Sequence, residues 1–563
     1  MLAPALRLAA ALRLAAALTS AAAMSLAQQG EDTVVVLRSL APLAAPALQL
    51  PFAPATAMPA DPGDEPLALD ARLTAPPPTW IAPLLQQRHR AAIDDGSLRV
   101  DLVAAGGEST HLGARLVVHG RRERVDACVR DFDTIAGWIG RPIEVTAFRL
   151  PLGNDPLPAA SWDPATVQQR LQAQPPLWTA RARTRSGGAV RLAEEHGRGL
   201  VRDLDVEVAE RAAILDPKVG VTIAGARATL VVHALHGDEL QLAGSWLCSE
   251  PIVTREHAIA EGRPSVHLPE HKTAYVSFAG RIVSGGALVV AGRGGPVGPE
   301  GFVLVVSARF LAPPTNDPAP DLLVRPIGAH VTTRSIPLPH GLAWQVPGDD
   351  EPRFRSEECD GGFAADELLE LLQGSAVNIA ELHGDVLVAS GDATVCRRAN
   401  RLLSQLAAAV STGELRSRAA PMRDGDAPLE LVQPLLGGRA TAAFVGTERA
   451  LVRDYEVEIA SRSTAGNPVI GVARSGLWLA TTAHEQGGSW HVTGSWSLAA
   501  HDEPHLHVHA ETQPLLLHVP DYRTTTLPWD ATMPLDLDHV LGQGPAWTTN
   551  GAPTQVTVRL TRR

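Results

Sequence analysis

Lysine is nearly missing from this sequence: Lys218 and Lys272 are the only two, and arginine carries almost all the positive charge. With a net charge of −12 and no long basic run to neutralise a phosphate backbone, the composition speaks against a nucleic-acid partner. Cysteine is scarce too. Cys128, Cys248, Cys359 and Cys396 are too few to build a disulfide scaffold from 563 residues, and no CxxC or CxxxC spacing offers a thiolate zinc site. They could pair in three ways, and the expectation is mostly buried thiols with room for one bridge. Beyond the N-terminal segment no apolar run reaches the roughly 20 residues of a membrane-spanning helix, which leaves a β-barrel as the transmembrane form still open. Gly-x-Ser-x-Gly, His-Glu-x-x-His and Ser-x-x-Lys are absent, which points away from the common hydrolases. Gly292-Arg-Gly-Gly-Pro-Val-Gly298 lacks the Gly-Lys-Ser/Thr ending and runs into a strand, so it reads as a turn and not a phosphate loop.

At the N-terminus, Arg7 and Arg13 precede an Ala/Leu-rich run, Leu14 to Ala23, followed by the small-x-small Ser25-Leu-Ala27. This is the pattern of a cleavable export signal, residues 1–27, which predicts a periplasmic or outer-membrane-associated protein.

The strongest signal is an internal repeat. Leu200-Val-Arg-Asp-Leu-Asp-Val-Glu-Val-Ala209 returns as Leu451-Val-Arg-Asp-Tyr-Glu-Val-Glu-Ile-Ala460. Pro217, Gly220 and Gly225 match Pro468, Gly471 and Gly476; Gly244-Ser-Trp246 matches Gly494-Ser-Trp496; Val266-His-Leu-Pro269 matches Leu517-His-Val-Pro520. A stretch that keeps its register this long marks a duplicated structural unit. Upstream, Ala114–His119 alternates like a strand, and Val125, Cys128, Val129, Phe132, Ile135 and Ala136 recur at helical spacing until Gly140 and Pro142. A strand, Ile143–Phe148, follows. The second copy offers Asp385–Ala389, then Val395, Ala399, Leu402, Leu403 and Leu406 at helical spacing, then a strand near Glu414. Further helices are expected around Trp80–Arg90 and Asp366–Leu372.

The expected fold is α+β, mostly β: two tandem copies of a small β-α-β module, each followed by a β-rich sandwich or open barrel. After the signal, an Ala/Pro-rich segment covers residues 28–78 and the first module 79–150. The first β-rich domain spans 177–312, a Pro-rich linker 313–321, the second module 322–422 and the second β-rich domain 428–563.

Three features carry candidate chemistry. Asp203, Asp205 and Glu207 share one face of a strand, as do Asp454, Glu456 and Glu458; paired carboxylates can run acid/base chemistry or hold a cation. Because Leu204, Val206 and Val208 alternate with them, a half-buried strand with a solvated face explains the pattern. His505, His507 and His509 would share a strand face with spacing suited to Zn, Cu or Ni, although the aligned positions of the first copy are Thr254, Glu256 and Ala258. His267 recurs as His518 with no nucleophile beside it, and reads as structural.

The order of elements resembles bacterial secretins, the outer-membrane proteins of type II and type III secretion systems. Arg115-Leu-Val-Val-His-Gly120 through Ile143-Glu-Val-Thr-Ala-Phe148 is similar to their periplasmic β-α-β module. Val219–Val221, Ala226–His233 and Glu239–Ala243 resemble the approach to the paired strands of their core, and Val276–Ala291 with Phe302–Phe310 its closing strands. The Pro/Gly-rich lip segment is missing after Ala291, and the core occurs twice. The resemblance therefore implies a non-enzymatic scaffold, soluble or peripheral at the outer membrane, that associates with itself or with protein partners through sheet edges and helix faces. An outer-membrane secretion channel is the first alternative. A metal-binding envelope protein or metalloenzyme built on His505, His507 and His509 is the second; otherwise no cofactor is expected.

Overall fold

The computed structural model describes residues 33–39, 51–52, 67–68, 81–103, 115–209, 212–235, 237–258, 265–294, 301–312, 318–326, 377–383, 386–409, 411–419, 428–437, 441–460, 463–486, 489–501, 505–508, 516–519, 522–534, 538–546 and 553–562. The proposed export signal, Cys359, His509 and the helix expected near Asp366 lie outside them. The fold is mostly β, with several sheets and few helices.

The N-terminal unit is a three-stranded sheet, β1 (Thr33–Ser39), β5 (Arg115–Arg121) and β4 (Leu98–Val103) in that spatial order, all antiparallel. Between β1 and β4 in sequence come a two-residue pair, β2 (Pro51–Phe52) with β3 (Leu67–Ala68), and helices α1 (Ile81–Arg88) and α2 (Arg90–Asp94). Helix α3 (Arg122–Ile139) follows β5. Its Val125, Cys128, Phe132, Ile135 and Ile139 recur every three or four residues, so they form one buried stripe against the sheet. Gly140 closes the helix, and Pro142 cannot continue it.

The strand after this helix does not return to the small sheet. Strand β6 (Ile143–Leu150) instead enters a nine-stranded sheet. Ile143, Val145 and Ala147 pack into one core, and Phe148 and Leu150 into another on the opposite side. A strand apolar on both faces needs a sheet covered on both, which the three-stranded sheet does not offer.

The connector after β6 supplies β7 (Ser161–Trp162) and α4 (Pro164–Ala173), capped by Asp163, whose Oδ1 accepts from the Thr166 N–H at 2.7 Å. Then come β8 (Trp178–Thr184), the long strands β9 (Gly188–Ala209), β10 (Ala212–Ala234), β11 (Glu239–Ala258) and β12 (Ser265–Val283), and finally β13 (Ala287–Arg293) and β14 (Phe302–Phe310).

The second copy opens with its own sheet, β15 (Leu322–Pro326), β17 (Val386–Gly391) and β16 (Val377–His383) in that spatial order, covered by α5 (Ala393–Ala409). The Asp392 side chain caps α5 through the Thr394 N–H at 2.7 Å. Beyond it run β18 (Thr412–Ala419), β19 (Leu429–Leu436), β20 (Thr441–Ala460), β21 (Ser463–Gln486), β22 (Ser489–His501), β23 (His505–Val508), β24 (Leu516–Val519), β25 (Tyr522–Pro534), β26 (Asp538–Ala546) and β27 (Pro553–Arg562).

The β-rich segments of the two copies pool their strands. One sheet runs β25-β22-β21-β20-β12-β11-β10-β9; the other runs β26-β27-β18-β19-β13-β14-β6-β8, with β7 beside β13. They pack face to face over a core that draws Val232, Trp246, Phe278, Leu479 and Trp490 from the first and Val145, Phe302, Leu304, Leu415 and Leu431 from the second.

Gly225 and Gly476, matched in the repeat, occupy matched places. Gly225 on β10 pairs with Glu195 of β9, and Gly476 on β21 with Gly446 of β20. Their φ values are 133° and 153°, and a Cβ would lie 2.1 Å from the Glu194 carbonyl oxygen and 2.3 Å from that of Val445. No side chain fits so close to the neighbouring backbone.

Candidate functional site

The sequence-derived candidates do not gather into one centre. β23 places His505 opposite Val519 and His507 opposite Leu517, while Leu506 faces His518 across the same pair. Only the backbone of this pair is described. Among the described residues no three His, Cys, Asp or Glu side chains converge on a point that could hold a metal ion. The acidic strand of β9 sets Asp203 opposite Lys218 and Asp205 opposite Asp216, with Leu204 fully buried between them.

His267 has a structural partner: its Nδ1 accepts the Val201 N–H at 3.0 Å, tying β12 to β9. Around this bond Leu204, Val266, Leu268, Ala450 and Val452 form a small apolar cluster drawn from both copies.

Where residues do converge is the junction between copies. β12, the last strand of the first four-strand run, pairs antiparallel with β20, the first of the second, from Glu270↔Arg449 to Val276↔Ala443. Glu270 receives Arg449 at 3.6 Å and Arg255 at 3.5 Å. Thr273 donates to Glu448 Oε2 at 3.0 Å, and the Ala442 N–H donates to Ser277 Oγ at 2.6 Å. Tyr275, Phe444 and Trp478 form an aromatic cluster across it, the last two rings stacked at 4.4 Å.

His271 sits in this strip, opposite Glu448 in register, with Nδ1 2.9 Å from Ser249 Oγ and Nε2 3.0 Å from Thr222 Oγ1. Burial pushes its pKa down, so the neutral ring donates to one hydroxyl and accepts from the other. A serine on an imidazole suggests nucleophilic chemistry, but His271 is 1% and Ser249 3% exposed, and both ring nitrogens are occupied. A substrate has no approach to that hydroxyl, so the cluster acts as a polar tie within the sheet.

Two further clamps cross between copies. Glu414 on β18, 1% exposed, accepts the Ala160 N–H at 2.7 Å and a hydrogen bond from Arg416. Arg88 at the end of α1 bonds Asp131 Oδ2 at 2.5 Å, Asp321 Oδ1 at 2.9 Å, the Asp321 carbonyl at 3.1 Å and Ser390 Oγ at 3.3 Å. Burial works against the Arg88 charge, but its carboxylate partners outweigh that and raise its pKa. At Asp131 burial would raise the carboxyl, and the bonds from His89 and Arg88 prevail and lower it. None of these buried charges was legible as special in sequence, since each occupies an ordinary polar position of an alternating strand or helix.

The three described cysteines are buried free thiols. Burial pushes Cys128 up to about 12 and Cys248 up to about 11, which leaves them unreactive.

No protein-family model matches the sequence, and no curated protein matches it. Among solved structures, the chain is similar to the secretin-domain β-barrel of InvG from the Salmonella SPI-1 injectisome, at 11% identity and a TM-score of 0.20, over 39% of this chain and 76% of that one. The secretin GspD of the E. coli K12 type II secretion system is similar at 10% identity and a TM-score of 0.19, over 95% of this chain and 90% of that one. PulD, in the Klebsiella pneumoniae type II outer-membrane complex, gives 10% identity and 0.19 over 95% and 75%. TM-scores this far below 0.5 establish neither a shared fold nor a shared role.

Proposed function

We propose that this chain is a non-enzymatic, exported scaffold of the cell envelope that assembles with further copies of itself by extending its eight-stranded sheet edge to edge. The observation that carries the reading is the β12–β20 junction: one copy's last strand already pairs with the next copy's first. The matching strands, β25 and β9, are the two ends of that sheet. An end strand is a ready template for another strand where its outer backbone is not already engaged, which on β9 means the stretch before Val201, whose N–H is given to His267.

The internal junction also sets the register. Gly225 matches Gly476, so Ala193 of β9 stands where Phe444 stands in β20. Trp246 pairs with Val276 and Trp496 with Leu527, so Thr526 of β25 stands where Tyr275 stands in β12. Tyr275 and Phe444 are direct partners.

On the outer side of the nine-stranded sheet, Arg183, Glu144 and Arg309 line up in register, and the Arg181 and Arg309 side chains are 61% and 57% exposed. Such a surface suits water and not the lipid-facing wall of a barrel, and favours the scaffold over the channel.

The test is the double variant Ala193→Cys/Thr526→Cys under mild oxidation. A ladder of covalent multimers, absent from either single variant, is the expected result. Multimers in solution that never cross-link at this pair would refute the edge reading.

A further inference from the structure

β9 and β10 stay paired to their far ends, but β10 pairs with β11 only from Gly225↔Ser249 to Ala234↔Leu240. Past Gly225 the eight-stranded sheet therefore splits, and the outer halves of β9 and β10 form a hairpin of their own. Its β9 side lies against β12, β20 and β21, with Leu204 packed among Val266, Leu268, Ala450 and Val452.

Two histidines of β12, four residues apart, tie this hairpin down. His267 Nδ1 accepts the Val201 N–H at 3.0 Å; His271 Nε2 lies 3.0 Å from Thr222 Oγ1 and its Nδ1 2.9 Å from Ser249 Oγ. His267 makes its bond only as the tautomer with the proton on Nε2, the nitrogen 3.9 Å from Glu256 Oε1. A proton added to Nδ1 takes the lone pair that the Val201 N–H uses and sets two donors face to face. A second proton on His271 would put charge on a ring 1% exposed, and burial holds its pKa down. The fold itself does not need the second tie. Through the repeat registers Thr222, Ser249 and His271 correspond to Ala473, Ala499 and Tyr522.

We propose that the outer β9–β10 hairpin is a latch released by acid: protonation of His267 and His271 frees it from β12 while the sandwich stays folded. The charged neighbours favour this course. Glu256 pairs with His267 in register on β11, so it stays beside the ring when the hairpin leaves and stabilises the imidazolium. On β12 and β20, Glu270 is held by Arg255 and Arg449, and Glu448, opposite His271, accepts from Thr273. Arg474 stands opposite Glu448 on β21. On the hairpin, Asp203 and Lys218 pair beside Val201, Arg198 stands opposite Thr222, and Arg227 binds Glu195 at the root. On β11, Glu250 takes Arg149 of β6, and burial opposes the charge of His257 as it does that of His271.

The sign follows from which form binds protons. Tied, His271 is held neutral by burial and His267 needs a bare Nδ1; released, both rings are solvated and titrate as ordinary imidazoles, near pH 6.5. The latch is therefore closed above that pH and opens as pH falls. Each ring that is neutral only when tied favours release by on the order of 30-fold at pH 5.0, against the apolar contact of Leu204.

Hydrogen exchange of the full exported chain at pH 7.5 and 5.0, read by mass spectrometry and divided by the intrinsic rate of each amide at that pH, tests this. A two-stranded hairpin alone is marginal in water, so release exposes its amides. Protection over residues 197–223 is expected to fall at least tenfold at pH 5.0, and that of β14 and β19 less than threefold. His267→Asn offers a carbonyl oxygen to Val201 that does not titrate, and should cut the acid response at least threefold. Thr222→Ala/Ser249→Ala/His271→Tyr, which installs the second copy's residues, should cut it further when combined with His267→Asn. A hairpin equally protected at both pH values, an equal loss in β14 and β19, or an undiminished response in His267→Asn would overturn the proposal.

Discussion

Replacing Arg88 by Met should loosen the α/β stack without disturbing the sandwich. The side chain is 9% exposed and bonds three residues: Asp131 on its own unit, Asp321 just before β15, and Ser390 on β17. Its loss leaves Asp131, 13% exposed, with only His89 at 3.0 Å. Removing one partner of a buried ion pair typically costs about 3–5 kcal/mol; the surviving histidine bond and the half-exposed Asp321 place the expectation near the lower end, about 3 kcal/mol. At about 1.4 kcal/mol per tenfold, that is on the order of a 100-fold faster exchange of the most protected amides of β17, which opens when the layers separate. Arg88→Lys, a point charge without the planar fork, should give roughly tenfold. Native-state hydrogen exchange reads both, with the amides of β14 and β19 as internal reference. A change below threefold at β17, or an equal acceleration in the sandwich, would refute the assignment of Arg88 as the clamp between copies.

Gly225→Ala and Gly476→Ala should each destabilise by about 2–3 kcal/mol, because a backbone oxygen occupies the Cβ position. Gly237→Ala, also at positive φ but with open space around it, should cost only about 1 kcal/mol; chemical denaturation separates the two cases, and equal losses would argue against the close approach. Folded His257 and His271 hold pKa values below those of the unfolded chain, chiefly through burial. Their stabilisation is therefore present above about pH 6.5 and lost as acid protonates the unfolded chain first. Urea midpoints at pH 7.5 and 5.5 should diverge less in His271→Gln than in wild type, and equal divergence would remove His271 from the account.

What the sequence disclosed and what it hid have physical causes. Alternation revealed the strands, and the spacing of Val125, Cys128, Phe132 and Ile135 revealed α3, because both patterns are local. The destination of β6 was not local. Ile143-Glu-Val-Thr-Ala-Phe148 reads equally well as the last strand of a small module or as a central strand of a large sheet, and only the partners on both faces decide. β1 was hidden differently: Thr33–Ser39 lies within a stretch dominated by Ala and Pro, far in sequence from β5, its partner. His271 escaped notice because His-Lys-Thr in an alternating strand looks like solvated surface; the two hydroxyls that bond its ring come from β10 and β11. The acidic stretch of β9, conspicuous in sequence, has a buried leucine, Leu204, between Asp203 and Asp205.

The β12–β20 junction also bears on what this chain can become. Two strands on separate molecules would meet only above a threshold concentration, having given up roughly 4–15 kcal/mol of translational and rotational freedom. Joined through one polypeptide they face each other at an effective concentration fixed by the linker, so the pair forms at any dilution. Neither half then needs to remain a good partner for a copy of itself. The second can differ from the first, carrying His505, His507 and His509 where the first has Thr254, Glu256 and Ala258, and every chain still holds one of each kind.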